Sequence, residues 1–330
     1  GGLARYVYSQ YENRIQYVGL YDPGRIGRTD ILPQQKKEVI RLPRYTDTHA
    51  HYFDRKYAAL SEGGADNPTR ETALAGADTL LTDPDFLSKV AAVINVGTNL
   101  QNSRTAVDMA GKYPYMAAAV GIHPEDAQGL PDGTPLDPEA TLAALRAWVS
   151  DLDRRKADKI VAIGEIGFDY YWQPMDKELQ RAFFEGQMQI AADTGLPVII
   201  HDRDAHGDSF EVILKYPTVK GVFHAYGGSA EMARELTRRG WYIGFGGVAT
   251  FKNAERVRAV VASVDLSKLL LETDCPYMAP VPFRGKINHS GLIPHIAEVI
   301  APLHGLTVDE LAEVTNRNAE ELFRLSAVLG

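Results

Sequence analysis

Cysteine is almost missing from this chain: its 330 residues include only Cys275. A single thiol excludes a disulfide framework and a cysteine-based zinc site. Scarce cysteine also fits a reducing compartment. Long apolar runs are missing too, since no stretch approaches the roughly 18 residues that span a membrane. The N-terminus shows no basic-then-apolar leader pattern. The expectation is a cytoplasmic protein with no membrane partner. Basic charge is in deficit, with 35 Lys and Arg against 43 Asp and Glu, a net charge of −8. That excludes a general nucleic-acid coater, whose binding rests on a basic surface. It leaves room for a phosphate-bearing substrate met by a few local cations or metals. There is no internal repeat or low-complexity tract, and no obligate protein partner is evident.

What the chain does have is alternation. Eight short apolar runs, rich in β-branched residues, recur along it: 45–49, 90–98, 116–123, 160–169, 197–201, 221–226, 242–247 and 269–274. Helical periodicity fills most of the intervals, clearest over 138–154, 176–194, 231–239 and 254–264. Strand–helix alternation predicts a parallel sheet, and eight repeats predict its closure into a TIM (β/α)8 barrel. The barrel domain is expected over 45–330, preceded by an N-terminal extension, 1–44. In that extension Tyr6-Val7-Tyr8 and Ile15–Val18 suit a hairpin, and Pro23–Lys37 reads as irregular. The segment Arg55–Thr82, rich in Gly, Ala, Asp and Thr, reads as a long first βα connection on the active-site face.

Polar residues gather at the C-terminal ends of these runs, the rim where barrels build active sites. Thr46-Asp47-Thr48-His49-Ala50-His51 places two histidines at i and i+2. Along a strand, that spacing points both rings the same way. An isolated His-x-His is more often an ordinary pair, and Asp47 and Thr48 add little alone. Four further strand-end residues reverse the odds: Glu165, His201, His224 and Asp274. A carboxylate in a strand as apolar as Ala162–Phe168 is costly to bury unless paired or metal-bound. Asp169 reads as a neighbour that orients others. Glu272 shares the strand parity of Asp274, so one of the two is open to a structural role. Cys275 reads as a packed thiol.

Six ligands, four imidazoles and two carboxylates, exceed what one tetrahedral ion takes. They suit two divalent ions, about 3.5–4 Å apart, that share a carboxylate and activate water. Zinc, manganese or iron fits such a set better than magnesium does. Glu165 and Asp274 are the catalytic candidates, with Asp274 positioning or deprotonating the water. His123, Arg203, Arg284 and Lys286 are candidates for substrate contact, as cations or donors near the rim. For Lys286 an ordinary solvated loop is an equal alternative. Tyr170, Tyr171 and Trp172 either stack on bases or pack the rim. His206, His289, His295 and His304 have no comparable context.

With these residues in view, the chain resembles the TatD family of metal-dependent deoxyribonucleases, among the amidohydrolase-like barrels. The matching pieces are Asp47–His51, Gly121–Pro124, Gly164–Asp169, His201–Ala205, Glu272–Tyr277, Ala279–Lys286 and Asn316–Ala319. They occur in the family's order over about residues 45–326. The resemblance implies that His49, His51, Glu165 and Asp274 hold one metal, and that His201 and His224 complete a second around Glu165. It also implies 3′-end-directed exonuclease or broader DNase activity, supported by magnesium or manganese, with single-stranded DNA or 3′ ends as substrate. After the Gly-Lys pair the family often continues Arg-Asn-Glu-Pro, whereas this chain has Ile287-Asn288-His289-Ser290. A carbonyl-directed hydrolase on the same ions, such as a D-aminoacyl-tRNA deacylase, is the alternative. The rim cations favour phosphate over it. A barrel that kept its metals without catalysis is the third reading, and the intact ligand set argues against it.

Overall fold

The computed structural model describes residues 5–9, 14–18 and 43–330. The chain divides into two units, 1–42 and 43–330. In the first, β1 (Arg5–Ser9) and β2 (Arg14–Val18) pair antiparallel, with Arg5 opposite Val18 and Ser9 opposite Arg14. This is the hairpin expected from the sequence. Pro23–Lys37 lies outside the described residues.

In the second unit eight parallel strands follow chain order: β3 (Tyr45–Ala50), β4 (Val90–Val96), β5 (Met116–Val120), β6 (Ile160–Asp169), β7 (Val198–Arg203), β8 (Gly221–Phe223), β9 (Tyr242–Phe245) and β10 (Leu269–Leu271). The ring closes where β10 meets β3. There Asp274 N–H donates to His49 O (2.9 Å), His51 N–H donates to Cys275 O (2.8 Å), and Thr48 Oγ1 donates to Leu271 O (3.1 Å). The fold is the expected TIM barrel.

Two-residue alternation sorts the strand side chains into two cores. Ala92, Ile94, Val96, Ala117, Ala119, Ile199, Val222 and Leu270 fill the lumen, and Ala319, Phe323 and Leu325 of the C-terminal helical region join them. Val90, Val93, Met116, Ala118 and Val120 face the helical layer. Truncating a fully buried lumen residue such as Ile94 or Ile199 to Ala costs about 2–5 kcal/mol.

The helices follow the periodicity with two corrections. The expected helix 138–154 is two, Pro138–Ser150 and Leu152–Ala157, because Asp151 turns extended and its carboxylate caps Arg154 N–H at 3.0 Å. The Arg55–Thr82 connection carries a 3-10 turn (Arg55–Leu60) and a helix (Arg70–Leu81). Thr69 and Thr72 form a reciprocal cap at that helix, and Ala73, Ala77 and Leu81 are its buried stripe. Composition alone made this stretch resemble a loop. Among the described residues, no single helix is long and apolar enough to cross a membrane.

Candidate metal centre

Three local features bring the strand-end side chains together. First, the register of β3 against β4 slips between Asp47 and Ala50, so the His49–His51 stretch is not a regular ladder. The two Nε2 atoms still converge, 3.0 Å apart. Second, Gly167 in β6 has φ +139°, and a Cβ there would stand 2.0 Å from His201 O. Only glycine lets β6 and β7 approach closely at that point. Third, β10 ends at Leu271, short of the expected 274, and Asp274 adopts φ +53°. The parity expected of Glu272 and Asp274 therefore does not hold. The backbone bond from Asp274 N–H to His49 O brings Asp274 in to face the two histidines instead.

Glu165 is the hub. It is 3% exposed, and its two oxygens face different partners. Oε2 lies 3.2 Å from His49 Nε2 and 3.5 Å from His51 Nε2. Oε1 lies 2.7 Å from His224 Nε2, 2.8 Å from His201 Nδ1 and 3.6 Å from His123 Nε2. Asp274 Oδ1 joins the first group, 3.4 Å from His51 Nε2 and 3.8 Å from His49 Nε2. All six residues expected as ligands thus meet in one cluster.

Each flank is braced from behind. His51 Nδ1 donates to Val96 O at 2.7 Å, which fixes the ring and turns Nε2 toward the cluster. His201 Nε2 is 2.9 Å from Asp169 Oδ2, the orienting role expected of Asp169. Glu272 is fully buried; it accepts from Ala225 N–H and stands 3.6 Å from His224 Nδ1. A Cβ on Gly244 would come within 2.3 Å of Glu272 Oε2, so glycine there makes room for the carboxylate. Glu272 is therefore the structural member of the Glu272/Asp274 pair.

Charge within the cluster is divided. Burial alone would raise Glu165, but His224, His49 and His123, with a hydrogen bond from His201, hold it well below the usual carboxylate range. Burial likewise opposes charge on His201 and His224. Hydrogen bonds to Asp169 and Glu165 nevertheless raise His201 to about 9, and Glu165 with Glu272 raises His224 well above its ordinary value. His123 goes the other way: burial, against the pull of Glu165, lowers it to about 3. Its Nδ1 accepts Glu125 N–H at 3.2 Å, which leaves the proton of the neutral ring on Nε2.

Asp47 matters more than its sequence context suggests. It is fully buried and accepts from Ser290 Oγ (2.6 Å), Thr273 Oγ1 (2.6 Å), Thr273 N–H (3.0 Å) and His49 N–H (3.2 Å). Burial, countered by those bonds, raises it to about 7. It ties the two ligand-bearing ends, near His49 and near Asp274, to one carboxylate. Its i, i+2 relation to His49 was the available signal. Cys275 is buried in the outer core, with its thiol pushed up to about 12 by burial.

The expected substrate contacts lie outside the cluster, apart from His123. Arg203 ends β7 exposed, with its guanidinium 3.8 Å from the Tyr171 ring centre and 5.6 Å from that of Trp172. Arg284 stacks 4.0 Å over Phe251, and Lys286 follows it, exposed, on the loop after β10. Among the described residues, none of these three cations bonds to the cluster. His206, expected as background, pairs with Asp202 at 2.7 Å, away from the cluster.

A mixed set of imidazole nitrogens and carboxylate oxygens, with ligand atoms within 4.8 Å of one another in each of three groups, fits divalent metal binding. His49 Nε2 and His51 Nε2 facing each other beside two carboxylate oxygens is a cation's environment. Comparison with known proteins agrees. The sequence profile of the TatD-related DNase family matches residues 46–324. The chain belongs to this family. It is 39% identical over 282 residues to the metal-dependent hydrolase YabD of Bacillus subtilis, a protein named as uncharacterised, covering 85% of this chain and 99% of YabD. It is 37% identical over 251 residues to YcfH of Escherichia coli, also named as an uncharacterised metal-dependent hydrolase, covering 74% of this chain and 89% of YcfH. The crystal structure of YjjV, a TatD homologue of Escherichia coli, superposes with a TM-score of 0.68 at 28% identity, covering 85% of this chain and 98% of that one. This TatD-family protein is accordingly a metal-dependent hydrolase.

Proposed function

We propose that this protein hydrolyses phosphodiester bonds in DNA, acting on single strands or 3′ ends, with two divalent ions in its centre. One observation carries the two-ion reading: the split of Glu165, with Oε2 toward His49 and His51 and Oε1 toward His201 and His224. A carboxylate shared in this way suits one ion on each side. His49, His51, Glu165 and Asp274 would hold the first ion, and Glu165, His201 and His224 the second. When bound, such a pair lowers the pKa of water and neutralises charge growing on the reacting oxygens. Magnesium, manganese and zinc are the ions to test.

The chain's own groups divide the remaining work. Burial opposes charge on Asp274, but the bond to His51 and the nearby positive rings keep its carboxylate ionised below the usual range. Asp274 can therefore accept a proton from water held beside it. His123, neutral with its proton on Nε2, suits donation to a phosphoryl oxygen rather than metal binding. Arg203, Arg284 and Lys286 supply positive charge to phosphates. Tyr171 and Trp172, each 52% exposed beside Arg203, offer faces for an unpaired base.

The test offers single-stranded DNA, labelled at either end, to the protein with each metal. Progressive shortening from the 3′ end supports the reading. Intact DNA beside turnover of a D-aminoacyl ester would move the activity to a carbonyl.

A further inference from the structure

The segment after β3 and the loop after β10 form the two walls of an open cleft of about 820 Å³. Arg55 and Lys56 line one wall, and Arg284 and Lys286 line the other. Among the described residues, no acidic one lines it. In a chain of net charge −8, this is a local reversal of sign. Among the described residues, too, none of the four cations makes an ion pair. Two are propped on aromatic faces, Lys56 3.9 Å over Tyr277 and Arg284 4.0 Å over Phe251. The neighbouring carboxylate of Asp54 is engaged by Tyr277 Oη (2.6 Å) and by Lys56 N–H (2.8 Å).

The cleft lies beside the metal centre. Tyr277, on its lining, donates its N–H to Asp274 O at 3.0 Å, three residues from the cluster. Across the rim stands the other exposed group, Tyr171, Trp172 and Arg203, which follows β6 and β7. In an eight-strand ring β6 and β7 lie four positions from β10 and β3, so the two groups flank the centre from opposite sides.

We infer that the cleft is a subsite for the phosphodiester backbone of a single-stranded polynucleotide, held beyond the bond being cut. The inference rests on the nuclease reading above and adds to it a site for the rest of the chain. Two cations on each wall match a repeating polyanion, which presents charge to both sides of a groove. A lone phosphate or a small ester reaching the metal centre has no need of Arg55 or Lys56.

The test compares wild type with the double variant Arg55→Gln/Lys56→Gln, using a trinucleotide and a dodecanucleotide of thymidylate. The expected result is a fall of about tenfold in the ratio of kcat/KM for the long strand over that for the short one. Binding of the labelled dodecanucleotide, read by anisotropy in chelator so that nothing is cut, gives a second readout. Its log–log salt slope should become shallower by about 1.4, at about 0.7 for each phosphate no longer neutralised. Arg55→Lys/Lys56→Arg, which keeps the charge, should restore the slope. If the double variant cuts DNA with the wild-type ratio and binds it with the wild-type slope, the cleft is overturned and the nuclease reading stands. If the wild type cuts neither strand but binds the long one with a slope the variant loses, the cleft stands and the nuclease reading falls. Absence of both cutting and binding overturns the two together.

Discussion

Asp169 Oδ2 sits 2.9 Å from His201 Nε2, while the ring's other nitrogen, Nδ1, sits 2.8 Å from Glu165 Oε1. The imidazole is gripped from both ends, so its rotation is fixed before any ion arrives. Carboxylates behind ligating histidines set ring orientation and basicity. Asp169→Asn, nearly the same shape without the charge, should weaken metal binding by about 10–100-fold. Calorimetric titration measures it, and an unchanged affinity would leave Asp169 only its bonds to Tyr171 and Trp172 N–H.

Glu165→Gln removes the one charge both flanks share. Hydrolysis should fall by about a thousandfold or more, because the centre's contribution to the barrier is several kcal/mol. Metal content by elemental analysis should fall with it, while the circular dichroism spectrum keeps the barrel's signature. Full turnover in this variant would remove Glu165 from the chemistry.

Metal uptake should release protons. In the metal-free cluster His201 titrates at about 9 and His224 well above its ordinary value, so both carry protons at neutral pH. An ion must displace them. Affinity therefore rises with pH until both rings are neutral and declines as the medium is acidified. Titration calorimetry in two buffers of different ionisation enthalpy counts the protons, and a count of zero would refute the assignment.

His289 should shape acid stability. Burial, helped by Lys89, lowers it to about 4, and its Nδ1 lacks a partner among the described residues. Its folded value lies below the ordinary 6.5, so between those two values the unfolded chain binds more protons. Stability is then complete above pH 6.5 and is lost as pH falls toward 4. The loss is about 3.5 kcal/mol, at about 1.4 kcal/mol per unit over about 2.5 units. His289→Leu should flatten that limb in denaturant titrations run across the window. An unaltered slope would assign the acid limb to other groups.

Trp172→Ala should raise KM for single-stranded DNA. Stacking on one aromatic face is worth about 1–3 kcal/mol per base. The half-exposed ring supports little packing, so thermal stability should move by a degree or two at most. A KM equal to wild type would return Tyr171 and Trp172 to a packing role.

The order of strands and the identities of the clustered residues were readable because each is a local pattern. An apolar run ending in a lone histidine, as at Val198–His201, signals both strand and rim within a few residues. The supports were harder to read. Asp47 reaches Ser290 across 243 positions, and only the closed ring brings them together. Shared parity of Glu272 and Asp274 requires a strand that continues past Leu271. The left-handed turn at Asp274 breaks it, and nothing in Glu-Thr-Asp-Cys-Pro announces that turn. Arg70–Leu81 was hidden by its Gly, Ala and Thr content, although Ala73, Ala77 and Leu81 recur at helical spacing.

The join between β10 and β3 has a thermodynamic corollary. Its backbone bonds are donated by Asp274 and His51 and accepted by His49 and Cys275, so groups of the centre sit on both sides of the suture. Any fluctuation that parts the first strand from the last also separates His49 from Asp274. An ion held by His49 and Asp274 together would act as a clasp on the ring. Loading should therefore slow hydrogen exchange most at the amides of His51 and Asp274, far more than on the opposite staves of the barrel.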